Sequence, residues 1–183
     1  MATSLDDIAK AARCNKANCY YYFRSKSDIL YEIATRTIKE LLKVSSPIAC
    51  SDLPPIKKLE ALITNHLDWQ MAHAGFTGIG DTERRNLPPR LLRACIEMRD
   101  EYEHSFRKVI EEGIAKQQFR PTNAKLTSMF ILGFLGSIMR WYKPKGELTP
   151  SVISSKASDF VLQGLVRLDV TADSGAAKLD LIK

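Results

Sequence analysis

The sequence predicts an all-α protein, and three observations carry that prediction. Apolar residues recur at three- and four-residue spacing along most of the chain, no stretch alternates with the period of two that marks a half-buried strand, and capping residues, prolines and glycines punctuate the apolar runs. With 45% hydrophobic and 26% charged residues in 183, the chain has enough apolar material to bury a core and lies far from the composition of a disordered one.

Leu5, Ile8, Ala9 and Ala12 repeat at helical spacing behind Thr3 and Ser4, with Asp6 and Asp7 in the first turn, where the helix dipole favours acids. A short helix over 4–12 follows. Arg13 and Cys14 break the pattern, and Asn15 is a good N-cap for a second short helix from Lys16 to about Phe23. Two short helices across so brief a turn are a helix-turn-helix candidate. Ser25 caps a longer helix to about Val44, striped by Ile29, Leu30, Ile33, Ile38, Leu41 and Leu42; Ser45, Ser46, Pro47 and the segment 51–55 then punctuate the chain.

Ile56 to His73 reads as an amphipathic helix, after which Gly75, Gly78 and Gly80 loosen the chain before a short polar segment over 83–85. Pro88 and Pro89 open a long helix to about Gln117, Thr122 starts another ending near Tyr142, and Pro150 or Ser151 begins a last one to about Leu168. The expected organisation is a DNA-binding unit over 1–46, a larger helical unit over 47–170, and a frayed polar tail over 171–183.

Several function classes are excluded. The longest apolar stretch, Met129 to Met139, is interrupted by Gly133, Gly136 and Ser137 and falls short of the ~20 residues a membrane span needs, so no membrane partner is expected. The N-terminus lacks a basic segment followed by an apolar one, which points to a cytoplasmic protein. Cys14, Cys19, Cys50 and Cys95 form no CxxC pair, so neither zinc nor a disulfide framework is indicated, and they read as reduced, mostly buried residues. No cofactor motif is present.

An enzyme would have only His66, Asp68, His73 and His104 to work with. His66 and His73 are seven apart rather than the four of a helical metal pair, and no phosphate loop or nucleophile elbow accompanies them, so the chain is not expected to be an enzyme. The net charge of +6 suits a polyanionic partner without requiring one.

A recognition helix shows short polar or basic side chains to the major groove while its back packs on the helix before it. Lys16, Ala17 and Asn18 occupy that leading turn here, with Tyr20, Tyr21 and Tyr22 next. Lys26 sits at a helix N-terminus, where free N–H groups already favour a phosphate, and Thr3 and Ser4 have hydroxyls to donate to the DNA backbone. Core packing competes with DNA contact for the tyrosines and is the reading taken for Tyr21 and Phe23, and for Lys26 the competing reading is a solvated charge.

The run Ser4-Leu-Asp-Asp-Ile-Ala-Lys-Ala-Ala-Arg-Cys-Asn-Lys-Ala-Asn-Cys-Tyr-Tyr-Tyr-Phe-Arg-Ser-Lys26 resembles, without a gap, the DNA-reading segment of the TetR family of bacterial repressors. The resemblance implies that Lys16, Asn18, Tyr20 and Tyr22 meet bases or the flanking phosphates. Two departures stand out. The turn position where the family has Gly is Arg13, which requires a left-handed residue carrying a Cβ or a different path. The family also carries a helix ahead of this motif, and the chain opens almost at the motif; the expectation is a DNA-binding unit shortened at its N-terminus, with Leu5, Ile8, Cys19 and Phe23 short of a packing partner.

From about Pro54 to Leu168 the chain resembles members of that family that respond to acyl-coenzyme A thioesters, through Asn86-Leu-Pro-Pro, Arg99-Asp-Glu-Tyr-Glu, Glu112-Gly, Trp141-Tyr-x-Pro-x-Gly-Glu-Leu-Thr-Pro and Leu162-Gln-Gly-Leu. A thioester needs an apolar slot and cations for its phosphates. Trp69, Phe76, Met98, Tyr102, Phe106, Met129 and Phe134 are the candidates for the slot, and Arg84, Arg85, Arg93 and Arg140 for the anionic end. The competing reading makes the apolar residues ordinary core and the arginines a solvated face.

Gly133, Gly136 and Ser137 permit close backbone approach, and Ile131, Leu135, Ile138, Val161, Leu165 and Leu168 are expected to form the apolar face of a two-fold four-helix interface. The function expected is that of a ligand-responsive transcriptional regulator, a homodimeric repressor that a small effector releases from a palindromic double-stranded DNA operator. The alternative is a dimeric helical small-molecule-binding protein that no longer binds DNA.

Overall fold

The computed structural model describes residues 4–74 and 83–166; Thr3, the glycines at 75–80, Phe76, Leu168 and the tail over 171–183 lie outside the described residues. Among the described residues the regular elements are seven α-helices and one 3-10 turn, with no strand beyond an isolated bridge between Phe119 and Val166.

Local capping sets the first three helices. Helix α1, Leu5–Ala11, opens on a capping box: the Ser4 hydroxyl accepts the Asp7 amide at 3.1 Å, and the Asp7 carboxylate accepts the Ser4 amide at 2.8 Å. Helix α2, Lys16–Tyr22, starts at Asn15, whose side-chain oxygen accepts the Ala17 amide at 3.0 Å. Helix α3, Lys26–Cys50, starts at Ser25, which accepts the Asp28 amide at 3.2 Å.

Between α1 and α2 the chain turns through Arg13 at φ 52, the left-handed conformation that the sequence left as one of two options. The Cys14 amide donates to the Ala9 carbonyl at 3.0 Å and the Arg13 amide to that of Lys10 at 3.1 Å, the paired bonds of a Schellman ending. A Cβ in this conformation costs roughly 1 kcal/mol. Arg13→Gly is therefore expected to raise stability by about 0.5–1 kcal/mol, after the entropy glycine adds to the unfolded chain; thermal unfolding of both proteins measures it.

Helix α3 does not stop at Val44 but runs on through Ser45, Ser46 and Pro47. Ala34, Thr35, Ile38, Leu41, Ser45 and Ala49 make one buried stripe along it, so its last two turns keep packing after the proline has removed a single hydrogen bond. Helices α4 (Pro55–Ala72), α5 (Pro89–Ala115), α6 (Ala124–Ile138) and α7 (Pro150–Leu165) complete the bundle, and the 3-10 turn spans Arg84–Asn86. Helix α7 ends at Leu165 because the next residues leave to bond the loop after α5: the Leu165 carbonyl accepts the Arg120 amide at 2.9 Å.

Helix α5 packs against α3, α4 and α6, and α4 is covered on another side by α7. Leu59, Leu62, Ile63 and Leu67 from α4, Phe106, Val109 and Ile110 from α5, and Leu135 from α6 are fully buried at the centre. Ile131, Leu135, Ile138, Val161 and Leu165 belong to this same core, so they are not the exposed dimer face that the sequence suggested. The opposite side of α6 and α7 is the exposed one, with Phe130 and Phe160 each 67% accessible and Met129 54%.

Where α3, α4 and α5 meet, the Lys58 ammonium, 5% accessible, donates to Glu112 at 2.7 Å, and Lys116 donates to the same carboxylate at 2.7 Å. These bonds, Lys116 first and Lys58 next, hold the Glu112 carboxyl below its ordinary 4.5. A depressed folded-state value stabilises above pH 4.5, and that contribution is lost as the pH falls through the folded value. Glu112→Gln should lose about 1–3 kcal/mol near neutrality, by leaving the buried Lys58 ammonium without its counter-charge, and should show less acid weakening than the parent below pH 4.5; denaturant titrations at both pH values read the two effects.

Candidate functional site

The N-terminal helices present a polar, aromatic and basic surface. Helices α1 and α2 pack on each other; Leu5, Ile8, Cys19 and Phe23 are half-buried and Ala9 is buried. On α2, Ala17 and Asn18 are exposed, Tyr20 is 49% accessible and Tyr22 74%. Lys16 is the first residue of α2, in the leading turn as expected. Tyr21 is not the core residue expected: it is 82% accessible and meets the Tyr22 ring edge-on at 5.0 Å, so it belongs to this surface.

Ser4 is spent on the capping box, its hydroxyl donating to Asp7 at 2.6 Å. The Ser4 hydrogen bonds, side-chain one first, keep the Asp7 carboxyl below its ordinary value, and the positive charges of Lys10 and Lys26 act in the same direction. Lys26 is exposed at the start of α3. Arg24, not singled out from the sequence, and Arg13, singled out only for its turn, are exposed on either side of α2 and add cations to the same end of the molecule. Their signal was simply their position: both flank the recognition helix. Helix α3 then runs 25 residues from this surface into the core, stiffened outside by a Lys39 to Glu32 ion pair at 3.0 Å.

The effector candidates separate into two groups. On α4 and α5, Trp69 and Met98 are half-buried against the main core, whereas Tyr102 (3%) and Phe106 (0%) are inside it. The Tyr102 hydroxyl shares a 2.9 Å hydrogen bond with His66 Nδ1, and burial pushes its pKa far above the ordinary value. Trp69 stacks on His73 at 4.2 Å and with it lines an open cleft of about 670 Å³ along α4.

On α6, Met129 is exposed and Phe134 tilts against Phe160 of α7 at 5.2 Å; Phe134 thus borders an apolar groove of about 540 Å³ between α6 and α7, which none of the α4 and α5 group lines. Arg84 is half-buried in the 3-10 turn, while Arg85, Arg93 and Arg140 are exposed.

The groups weighed as catalytic do not converge. Asp68 accepts the Ser154 hydroxyl at 2.7 Å, His73 bonds the Trp69 carbonyl at 2.8 Å, and His104 bonds Arg107 at 2.8 Å. Among the described residues no three His, Cys, Asp or Glu side chains stand together as a metal site, and no helix is long and apolar enough to cross a membrane. The cysteines differ from expectation: only Cys95 is buried, Cys19 is half-buried, and Cys14 and Cys50 are exposed, because the turn and the helix end that carry the last two lie at the surface.

Comparison with known proteins matches residues 1–33 to the family of bacterial regulatory proteins called tetR, and residues 52–165 to the tetracyclin repressor-like C-terminal domain. The HTH-type transcriptional repressor KstR2 of Rhodococcus jostii is 26% identical over 166 residues, covering 90% of this chain and 81% of the relative. The TetR family transcriptional regulator PfmR of Thermus thermophilus superposes with a TM-score of 0.81 at 27% identity over 91% of each chain. The ketosteroid transcriptional regulator KstR2 of Mycobacterium tuberculosis shares the fold, with a TM-score of 0.79 at 24% identity over 91% of this chain and 86% of its own.

Proposed function

The chain belongs to the TetR family of bacterial regulatory proteins, and from that membership we propose that it is a homodimeric transcriptional repressor that a small effector releases from a palindromic operator. The observation that carries the reading is the exposed face of α2: a capped seven-residue helix offers Ala17, Asn18, Tyr20 and Tyr22 outward, between the cations Arg13 and Arg24. Side chains of this size and polarity suit base edges in the major groove, and the flanking cations suit phosphates.

In this reading residues 1–46 read DNA, 47–170 bind effector and dimerise, and α3 is the arm that joins them. Two copies meet through the exposed face of α6 and α7, which carries Phe130 and Phe160 and, on the same helices, Gly133, Gly136 and Gly164, around each of which an added Cβ would meet nothing within 4 Å. That open space admits a second copy's side chains at close approach. Two-fold symmetry then sets the half-sites about one helical turn apart or slightly more.

For the effector we propose an amphipathic anion, with an acyl-coenzyme A thioester as the specific candidate. Half-buried Trp69 and Met98 supply apolar surface, and Arg84, Arg85 and Arg93 supply cations from the 3-10 turn and the start of α5. Binding there acts on α3, which packs on both of those elements, and through it on the spacing of the recognition helices. No chemistry on the ligand is required, and the work is cytoplasmic.

Lys26 and Asn18 separate the two kinds of DNA contact. Lys26→Ala should weaken retention of every duplex alike and flatten the log–log salt dependence by about 0.9. Asn18→Ala should cost about 1–3 kcal/mol on the operator and little on unrelated DNA. Gel retardation across a salt series reads both, and equal loss on all sequences for Asn18→Ala would remove it from base reading.

A further inference from the structure

We propose that Cys14 and Cys19 form a dithiol–disulfide site, closed by exchange with a low-molecular-weight disulfide, that pins the entry of the recognition helix. The inference goes beyond the DNA-binding reading and does not depend on it. The two sulfurs lie 3.2 Å apart, as free thiols, across the N-cap of α2. Cys14 precedes the cap residue Asn15 and Cys19 is the fourth residue of the helix, the pair of positions where an apolar staple normally fixes the angle at which a chain enters a helix. Two cysteines in that role keep the staple and add redox chemistry to it.

Closing the gap to the disulfide length of about 2.05 Å asks for a movement of only about an ångström. Cys14 is exposed and so is the thiol a soluble disulfide reaches. Cys19 is half-buried, and its hydrogen bond with Cys14 raises its pKa, so it retains its proton and acts second. The Cys14 thiolate attacks one sulfur of the soluble disulfide and expels a thiolate; Cys19 then attacks the Cys14 sulfur and expels the second. Two protein thiols are oxidised, one small disulfide is reduced to two thiols, and the two protons pass to the departing thiolates.

The pair has no competitor within the chain. Cys95 is fully buried in the cluster formed by α3, α5 and the segment before it, and Cys50 ends a 25-residue helix that begins after the recognition helix, about 36 Å of helix away. The resulting ring encloses the cap and first turn of α2, whose seven residues are too few to hold a helix unaided. Covalent closure therefore acts where the helix is weakest, beside Asn18 and Tyr20.

The full-length protein equilibrated with graded ratios of reduced to oxidised glutathione, then alkylated and cut with trypsin, tests the proposal. Peptides 14–16 and 17–24 should emerge joined at oxidising ratios, separate again under a dithiol reductant, and never join in Cys19→Ser. Amide exchange over 17–22 should slow several-fold in the oxidised protein. Peptides carrying only glutathione or alkyl groups at every ratio would overturn the site, and joined peptides with unchanged exchange would overturn the pinning. Neither readout uses DNA, so failure here is separate from failure of the repressor reading.

Discussion

Gly113→Ala is expected to destabilise the protein by about 3 kcal/mol, the upper end of the usual range for overpacking a core. Gly113 lies in the last turn of α5, and a Cβ built there would overlap the Phe119 ring. Phe119 is 1% accessible and cannot swing into solvent, because the chain around it is tied at both ends: its own amide donates to the Gly113 carbonyl at 3.0 Å, and the next residue bonds Leu165. The ring is the plug that closes the bundle where α5 turns into α6. A fall in denaturant midpoint at unchanged slope would show it. Gly113→Ala with Phe119→Leu should recover part of the loss, because the smaller side chain vacates the contested space.

Phe130→Lys together with Phe160→Lys is expected to yield a folded monomer whose operator affinity is lower by about 100-fold or more. Each phenylalanine is 67% accessible, so the protomer loses little packing, but two-fold association would bring four added cations together on a desolvated face. A monomer grips one half-site and forfeits the gain of about 10²–10⁴ that linkage of two half-sites supplies. Native mass spectrometry reads the mass and gel retardation the affinity. A double variant that remains dimeric would move the interface elsewhere.

How much was legible in the sequence varied with the range of the interaction. Ser4, Asn15 and Ser25 were readable as caps because capping is decided within four residues. Arg13 was readable as a left-handed candidate for the same reason. Helix α6 shows the limit: Met129, Phe130, Ile131, Leu132, Phe134 and Leu135 make it apolar nearly all round, so periodicity alone did not tell the core face from the exposed one, and the residues expected at a dimer face are core residues of the protomer.

Pro47 misled in another way. Proline is a strong local stop signal, yet here the buried stripe on α3 outweighs it. Among the effector candidates, residue type could not report depth: Trp69 and Phe106 are both aromatic residues on apolar helix faces, and one borders a cleft while the other is core. The Cys14 and Cys19 pair carried a usable signal in its spacing around Asn15, visible once the staple positions are counted.

This chain is expected to read a two-fold DNA site and to let go of it when an effector binds. Selection of bound fragments from a pool of randomised duplex DNA by the full chain, with and without palmitoyl-coenzyme A and a short-chain acyl-coenzyme A, tests it most directly. The expected result is enrichment of a palindrome whose half-sites lie about one helical turn apart, and loss of retention by about 5- to 150-fold when the right acyl thioester is added. Retention that shows no sequence preference at any salt concentration would contradict it, and would leave a dimeric helical ligand-binding protein as the reading to pursue.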